Sequence, residues 1–381
     1  MEKIKVLIAV KALEVNGVSN VIFSYYRRLR EMGVQMDFVS GSLVNERYRE
    51  EIAAAGNTLN IIPNRDRNPV RYILKMSALV RRGGYSIVHV HGNSAMMAVE
   101  LLAAKLGGAK VRIAHTHSTS CNHPAIERLI RPLFGALYTH AMACSLKAGH
   151  LLYGDSPFFM LPNAIDMEKY RFSPERREHV RASLGIGGER LIGHVGDFSY
   201  TKNVDFLIRM FFTYRSSFSD GRLLLVGTGE EEGRIRELVR AMHLENCVTF
   251  YGYSDDVPGL MMAMDVLLLP SLYEGLPCVL VEAQALGLAC ISSDRVTEEV
   301  SLTGLIRRLP LDDASPWVEA IVAAGTDNRV EKSDQAHEDL RRNHYDLDHT
   351  SKVLLEYYWK ASIGKFLDGG YYDTKFCTKH R

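Results

Sequence analysis

The stretch that most constrains this chain is residues 265–294, DVLLLPSLYEGLPCVLVEAQALGLACISSD. Residues 266–269 are a short, wholly apolar run bounded by Pro270, which suits a strand buried on both faces. A Gly/Pro-bearing turn follows at 270–277, then a helix over 279–286 and a second strand at 289–292. This is a βαβ unit, and open parallel sheets gather their ligands at the carboxyl ends of the strands. A helix starting near Pro277 turns unpaired amides, and the positive end of its dipole, toward whatever binds there. Glu274 and Glu282 stand eight residues apart, one before the helix and one on it. Two carboxylates beside an anion-binding helix end suit a ligand that joins phosphate to many hydroxyls, such as a nucleotide sugar. The competing reading is a solvated helix face that carries two glutamates by chance.

The rest of the chain repeats the theme. Residues 4–10 (IKVLIAV) predict a first buried strand, the turn 14–19 carries Asn16 and Gly17, and a helix spans 20–32 with an apolar face. Strand 86–90 ends in His91-Gly92, and strand 111–114 ends in His115-Thr116-His117-Ser118. Histidines at neighbouring strand ends can bind phosphate or position a hydroxyl, or be satisfied interior side chains. No ligand triad accompanies them, so no zinc site is expected. A Pro/Gly/charged run with one short helix, 172–189, reads as a linker. Beyond it the pattern restarts, with strand 191–195, the loop from Gly196 through Lys202 and Asn203, and helix 204–215. The turn Gly227-Thr228-Gly229 follows the next strand, but without G-x-G-x-x-G the chain lacks a dinucleotide fingerprint, which sets aside a nicotinamide dehydrogenase. Asp255-Asp256 reads as the acidic first turn of a helix capped by Ser254 rather than a metal pair. The closing helix is expected over 348–360.

The segment PSLYEGLP…LVEAQALG resembles the E-x7-E motif of retaining GT-B glycosyltransferases of family four, nearest to bacterial enzymes of exopolysaccharide and capsule synthesis. The similarity covers roughly residues 1–360. It implies an α/β fold of two Rossmann-like domains facing a central cleft. The N-terminal acceptor domain would be 1–172, joined by a return helix and tail at 348–381, and the donor domain 173–347. The donor would be a nucleoside-diphosphate sugar, with UDP the expected carrier. The acceptor would be a hydroxyl on a glycan or polyprenyl-linked chain. Glu282 would hold the ribose, Glu274 the donor sugar or its leaving phosphate, and His117 would sit near that sugar. Lys202 and the backbone from Gly275 through Leu276, Pro277, Val279 and Leu280 would stabilise the departing diphosphate. Gly17 and Gly196 would mark loops close to the donor, with Asn16, His91, Arg128 and Arg131 on the acceptor side. No metal and no cofactor are expected.

One position departs from the family. The loop after Gly196 ordinarily supplies an arginine to the diphosphate, and here Asp197 occupies that place. Two like charges ~5 Å apart at an effective dielectric of ~20 repel by roughly 3 kcal/mol before screening. The loop takes another pose, another cation such as Arg295 or a metal compensates, or turnover is impaired. The last case would make the chain a glycosyltransferase-like binding or scaffold subunit. The presence of Lys202, Glu274, Glu282 and His117 favours the enzyme.

Composition narrows the partners. Residues 1–172 hold 22 Lys/Arg and 13 Asp/Glu, a balance of +9; the remaining 24 and 32 give −8. A basic first half suits an anionic membrane face or a lipid pyrophosphate, although dispersed charge is also an ordinary solvated surface. No nucleic-acid motif is present. No apolar run reaches the ~18 residues of a membrane helix, the N-terminus lacks a signal-peptide pattern, and six scattered cysteines fit a reducing compartment. The expected setting is cytoplasmic, at or near the inner membrane face.

Overall fold

The computed structural model describes residues 4–117 and 124–365. Ser118, Cys121 and the tail beyond residue 365 lie outside them. The chain forms two compact units, Met1–Ala164 with Leu347–Arg381, and Ile165–Asp346.

Unit 1 contains a seven-stranded sheet of order β3-β2-β1-β4-β5-β6-β7, parallel at every pairing. Its strands are β1 Lys5–Val10, β2 Gln35–Ser40, β3 Leu59–Ile61, β4 Ile87–Gly92, β5 Val111–Thr116, β6 His140–Ala143 and β7 Phe159–Met160. The helices are α1 Gly17–Glu31, α2 Glu46–Ala54, α3 Pro69–Gly83, α4 Ala98–Gly107, α5 Pro124–Leu137 and α6 Leu146–Tyr153. Helices cover both faces of such a sheet, which is why β1 is apolar from Val6 onward instead of alternating. Val6 through Val10 are all buried.

Unit 2 has a six-stranded parallel sheet, order β10-β9-β8-β11-β12-β13. Its strands are β8 Arg190–Val195, β9 Gly221–Val226, β10 Val248–Gly252, β11 Val266–Leu269, β12 Ala289–Ser293 and β13 Ile306–Leu309. The helices are α7 Pro174–Ser183, α8 Val204–Ser217, α9 Glu232–Ala241, α10 Val257–Ala263, α11 Cys278–Ala285, α12 Ser315–Ala323 and α13 Arg329–Arg342. In each unit the strand order reverses beside the first strand of the unit, between β1 and β4 and between β8 and β11. Chain direction at that reversal leaves a crevice at the strand ends.

The dividing line falls at Ile165, ahead of the expected 173, because residues 165–172 are tied into unit 2. Ile165 bridges to Asp346, and the Tyr170 carbonyl accepts from His337 at 3.0 Å. The run expected as a linker is likewise part of that unit. Helix α7 lies against α10, and Arg177 donates to the carbonyls of Met262, Ala263 and Met264 and to the Asp265 carboxylate. The last helix, α14 Leu347–Ser362, returns to unit 1, where Asp348 pairs with Arg28 of α1 at 2.7 Å.

Candidate functional site

The β11–α11 turn and the loop after β8 are laced together at the switch point of unit 2. Leu272 N–H donates to the Thr201 carbonyl at 2.8 Å, and the Asn203 amide donates to the Pro270 carbonyl at 3.2 Å. Asn203 takes the left-handed conformation (φ 53°) that Asn tolerates and that lets the loop double back before α8. These ties bring Lys202 Nζ within 2.5 Å of Glu274 Oε1, each side chain only 15 % exposed. The same Glu274 oxygen accepts from Ser271 Oγ at 2.8 Å. The family resemblance implies a donor role for both residues, and the structure brings them into direct contact.

Glu282 sits one turn into α11 against Tyr170. Burial raises its carboxyl above the usual range, opposed by a hydrogen bond with the Tyr170 hydroxyl and by Lys169. Burial, and then Glu282 itself, raise the Tyr170 hydroxyl in turn. Tyr170 is a site neighbour the sequence did not signal, because nothing in its spacing links it to Glu282.

Two expected backbone donors need correction. Pro277 has no N–H, and the Leu280 N–H is already bonded to the Pro277 carbonyl at 3.1 Å. The side chains of Leu276 and Leu280 are buried, while Gly275 and Val279 are partly exposed. Helix α11 begins with no side-chain hydrogen bond at its cap, so a ligand oxygen there meets amides and dipole instead of a competing side chain. Asp197 is exposed, and its carboxylate accepts from Ser199 Oγ at 2.5 Å within its own loop. Arg295 is exposed as well.

The glycines divide by cause. A Cβ on Gly227 (φ 137°) would stand 1.9 Å from the Gly196 carbonyl, and one on Gly229 would stand 2.5 Å from Phe198 N. The GTG turn is therefore glycine so that two loops can press together. At Gly196 and Gly17 protein packing makes no such demand: the nearest atom to a Cβ is 3.4 Å away at Gly196, and none lies within 4 Å at Gly17. Asn16 is extended (φ −146°), and its side chain caps α1 by accepting from Ser19 N.

Unit 1 contributes a histidine array larger than the sequence suggested. Residues i and i+2 on a strand share a face, so β4 presents His89 and His91 side by side, and His115 and His117 project likewise at the end of β5. His89 bonds to His115 at 3.2 Å and His91 to His117 at 2.9 Å. Along the strands the rings lie close, His89 stacked on His91 with centroids 4.1 Å apart and His115 tilted against His117 at 4.2 Å. The Tyr358 hydroxyl of α14 closes one end against His89 at 2.7 Å. His89 was missed; the signal was its i+2 spacing to His91. Burial pushes all four imidazoles down, His89 to about 3 and His117 to about 4. Their ring nitrogens also qualify His89, His91 and His115 as a potential metal-holding trio, within 4.8 Å of one another. The triad judged missing from the sequence is thus present. Ring nitrogens of all three are already engaged, His89 with Tyr358 and His115 and His91 with His117, so a metal would have to displace these bonds.

On α5, Arg128 is exposed, and Arg131 is committed in part to the Leu151 carbonyl at 3.0 Å. Exposed Ile126, Leu129 and Leu133 share that helix.

Two parallel-sheet domains with glutamate, lysine and histidine at their strand ends define the class of GT-B glycosyltransferases. Residues 15–169 match the family described as Glycosyltransferase Family 4, and residues 189–327 match Glycosyl transferases group 1. The chain is 34% identical over 370 residues to EpsF of Bacillus subtilis (strain 168), a protein assigned as a glycosyltransferase, covering 93% of this chain and 96% of EpsF. It is 23% identical over 280 residues to the UDP-Gal:alpha-D-GlcNAc-diphosphoundecaprenol alpha-1,3-galactosyltransferase of Escherichia coli, over 68% of this chain and 71% of that one. Among solved structures, Anabaena HepE in complex with UDP and glucose superposes with a TM-score of 0.78 at 16% identity, covering 93% of this chain and 98% of HepE. The chain belongs to glycosyltransferase family 4 and is a transferase enzyme.

Proposed function

We propose that the chain moves a sugar, with retained anomeric configuration, from a UDP-sugar to a hydroxyl of a lipid-linked or growing glycan in surface-polysaccharide synthesis. The observation that carries the reading is the Lys202–Glu274 contact at the switch point of unit 2, on the turn that leads into the helix carrying Glu282. HepE's complexes with UDP and UDP-glucose, and the diphosphoundecaprenol substrate in the name of the E. coli relative, support the choice of donor and acceptor class.

In this reading phosphate oxygens displace Glu274 from Lys202, and the freed carboxylate accepts from sugar hydroxyls. Lys202 and the first amides of α11 then oppose charge building on the leaving diphosphate, and such fixed charge is worth most where water is scarce. Glu282 accepts from the ribose hydroxyls. No side chain is cast as a covalent nucleophile, no metal is required, and the leaving phosphate takes the acceptor's proton.

Membrane docking belongs to the same proposal. No described helix is long and apolar enough to cross a membrane. Leu129 is 81% exposed beside Arg128, and on α3 exposed Val70 and Leu74 flank Arg71. Apolar residues beside basic ones suit an anionic lipid surface.

Calorimetric titration of UDP and GDP into wild type and Asp197→Arg tests the donor assignment. Micromolar binding of UDP by wild type is expected. Recovery of binding only in Asp197→Arg would identify the impaired, scaffold-like alternative, and failure of both proteins with both nucleotides would sink the donor site.

A further inference from the structure

The pairing of β8 with β11 ends at Gly193 and Leu267. One residue further on, the Leu268 carbonyl accepts from a side chain, His194 Nδ1, at 3.0 Å. The ring is wholly buried beside β11. Because a carbonyl can only accept, Nδ1 carries the hydrogen and Nε2 of the neutral ring is left as an acceptor. Nε2 is buried with no hydrogen-bond partner among the described residues.

Its position gives that nitrogen meaning. A Cβ on Gly196 would lie 3.5 Å from His194 Nε2 and 3.4 Å from Lys202 Cε. The imidazole is therefore directly beneath the loop that carries Asp197 and Lys202. The charges acting on it are Lys202, itself paired with Glu274, and Asp197 on the opposite side of the balance. Burial, with Lys202 adding to it, holds the ring neutral, at about 4. This is the loop that lacks the family's second cation.

We propose that His194 supplies that cation conditionally: when a diphosphate binds over the Gly196 loop, Nε2 takes up one proton and the ring becomes an imidazolium beneath it. The inference rests on the donor reading above. One proton comes from solvent, and no bond of the ligand forms or breaks. A buried neutral base answers a doubly charged ligand by protonating, since a nearby opposite charge favours its charged form. With Asp197 held by Ser199 within its own loop, protonation of His194 makes the site one cation richer only while the ligand is present.

Titration of UDP between about pH 5 and 8 into wild type and His194→Gln tests the proposal, since glutamine keeps a donor for Leu268 and cannot protonate. Proton uptake makes affinity rise as pH falls. Wild type is expected to show a steeper dependence of log Kd on pH than His194→Gln, by up to tenfold in Kd per pH unit. UDP's own phosphate titrates near pH ~6, but it does so against both proteins and cancels in the difference. Parallel pH profiles would overturn the proposal. No binding of UDP or GDP by wild type would overturn the donor reading and this inference with it. Should the variant fail to fold, NMR of the His194 ring nitrogens in wild type decides. A shift of Nε2 to the protonated form on adding UDP supports the proposal, and an unchanged neutral ring rejects it.

Discussion

Lys202 and Glu274, seventy-two positions apart in the chain, share a hydrogen-bonded ion pair at 2.5 Å with each side chain 15% exposed. A lysine bound to its own glutamate is neutralised, so the site presents a charge-balanced pair that a diphosphate must open. The two residues therefore act as a unit, and their losses are not additive. Lys202→Ala is expected to lower kcat/KM by ~10²–10³, the range for removing a group that opposes transition-state charge. Glu274→Ala should cost a comparable factor. The double variant should lose far less than the product of the two, as measured in a double-mutant cycle of initial rates.

Glu282 trades stability for function. Its folded carboxyl is raised above its ordinary value of 4.5 by burial, so the native state binds that proton more tightly than the unfolded chain. The stabilising contribution is then present below pH 4.5 and lost as pH rises through the folded value. Glu282→Gln removes that cost. Its melting temperature should exceed wild type's at pH 7, with the gap narrowing as pH falls toward 4.5. The same change should raise KM for the donor ~10–100-fold, the worth of a charge-assisted hydrogen bond. A variant that is neither more stable at neutral pH nor weaker for donor would contradict the assignment.

What the sequence made legible follows the range of its signals. The βαβ units announced themselves through short apolar runs and glycine turns, which act locally, and the Glu274–Glu282 spacing is fixed within nine residues of one turn and helix. Tyr170 against Glu282, and His194 against the Leu268 carbonyl, join elements far apart in sequence and leave no local trace. Arg329 is the sharpest such case. A lone arginine at the start of α13 is buried against the carbonyls of Met261, Met262, Met264 and Leu286, where α10 and α11 end. It caps the negative ends of two helix dipoles at once, and charge patterning along the chain would place it on a surface.

The histidine array makes unit 1 acid-sensitive. An ordinary histidine titrates at 6.5, and burial holds His89 at about 3 and His117 at about 4 when folded. The unfolded chain thus binds more protons below pH 6.5. Stability present above that value falls as pH drops toward 4, by up to ~1.4 kcal/mol per pH unit for each buried histidine. His117→Gln should flatten the acid limb of a urea-unfolding series between pH 6.5 and 4 relative to wild type. An unchanged limb would show that the array is already protonated in the folded protein.

Asp265 opens the stretch that organises unit 2, and its carboxylate joins three elements. It accepts from the Leu191 N–H at 2.7 Å, from Arg177, and from Arg181 at 3.4 Å. Leu191 is the second residue of β8, and the arginines fix α7, so one buried anion (7% exposed) sets where that helix meets the sheet. Asp265→Ala leaves two arginines without their counter-charge and a strand amide without its acceptor. Removing one partner of a buried pair costs ~3–5 kcal/mol, and equilibrium urea unfolding should show a loss of that size. Glutamate at the same position should recover little of it, because one extra methylene moves the carboxylate off the Leu191 amide in a site with no room to adjust. A loss below ~1 kcal/mol for Asp265→Ala would mean that the Arg177 contacts to Met262, Ala263 and Met264 hold α7 in place without the aspartate.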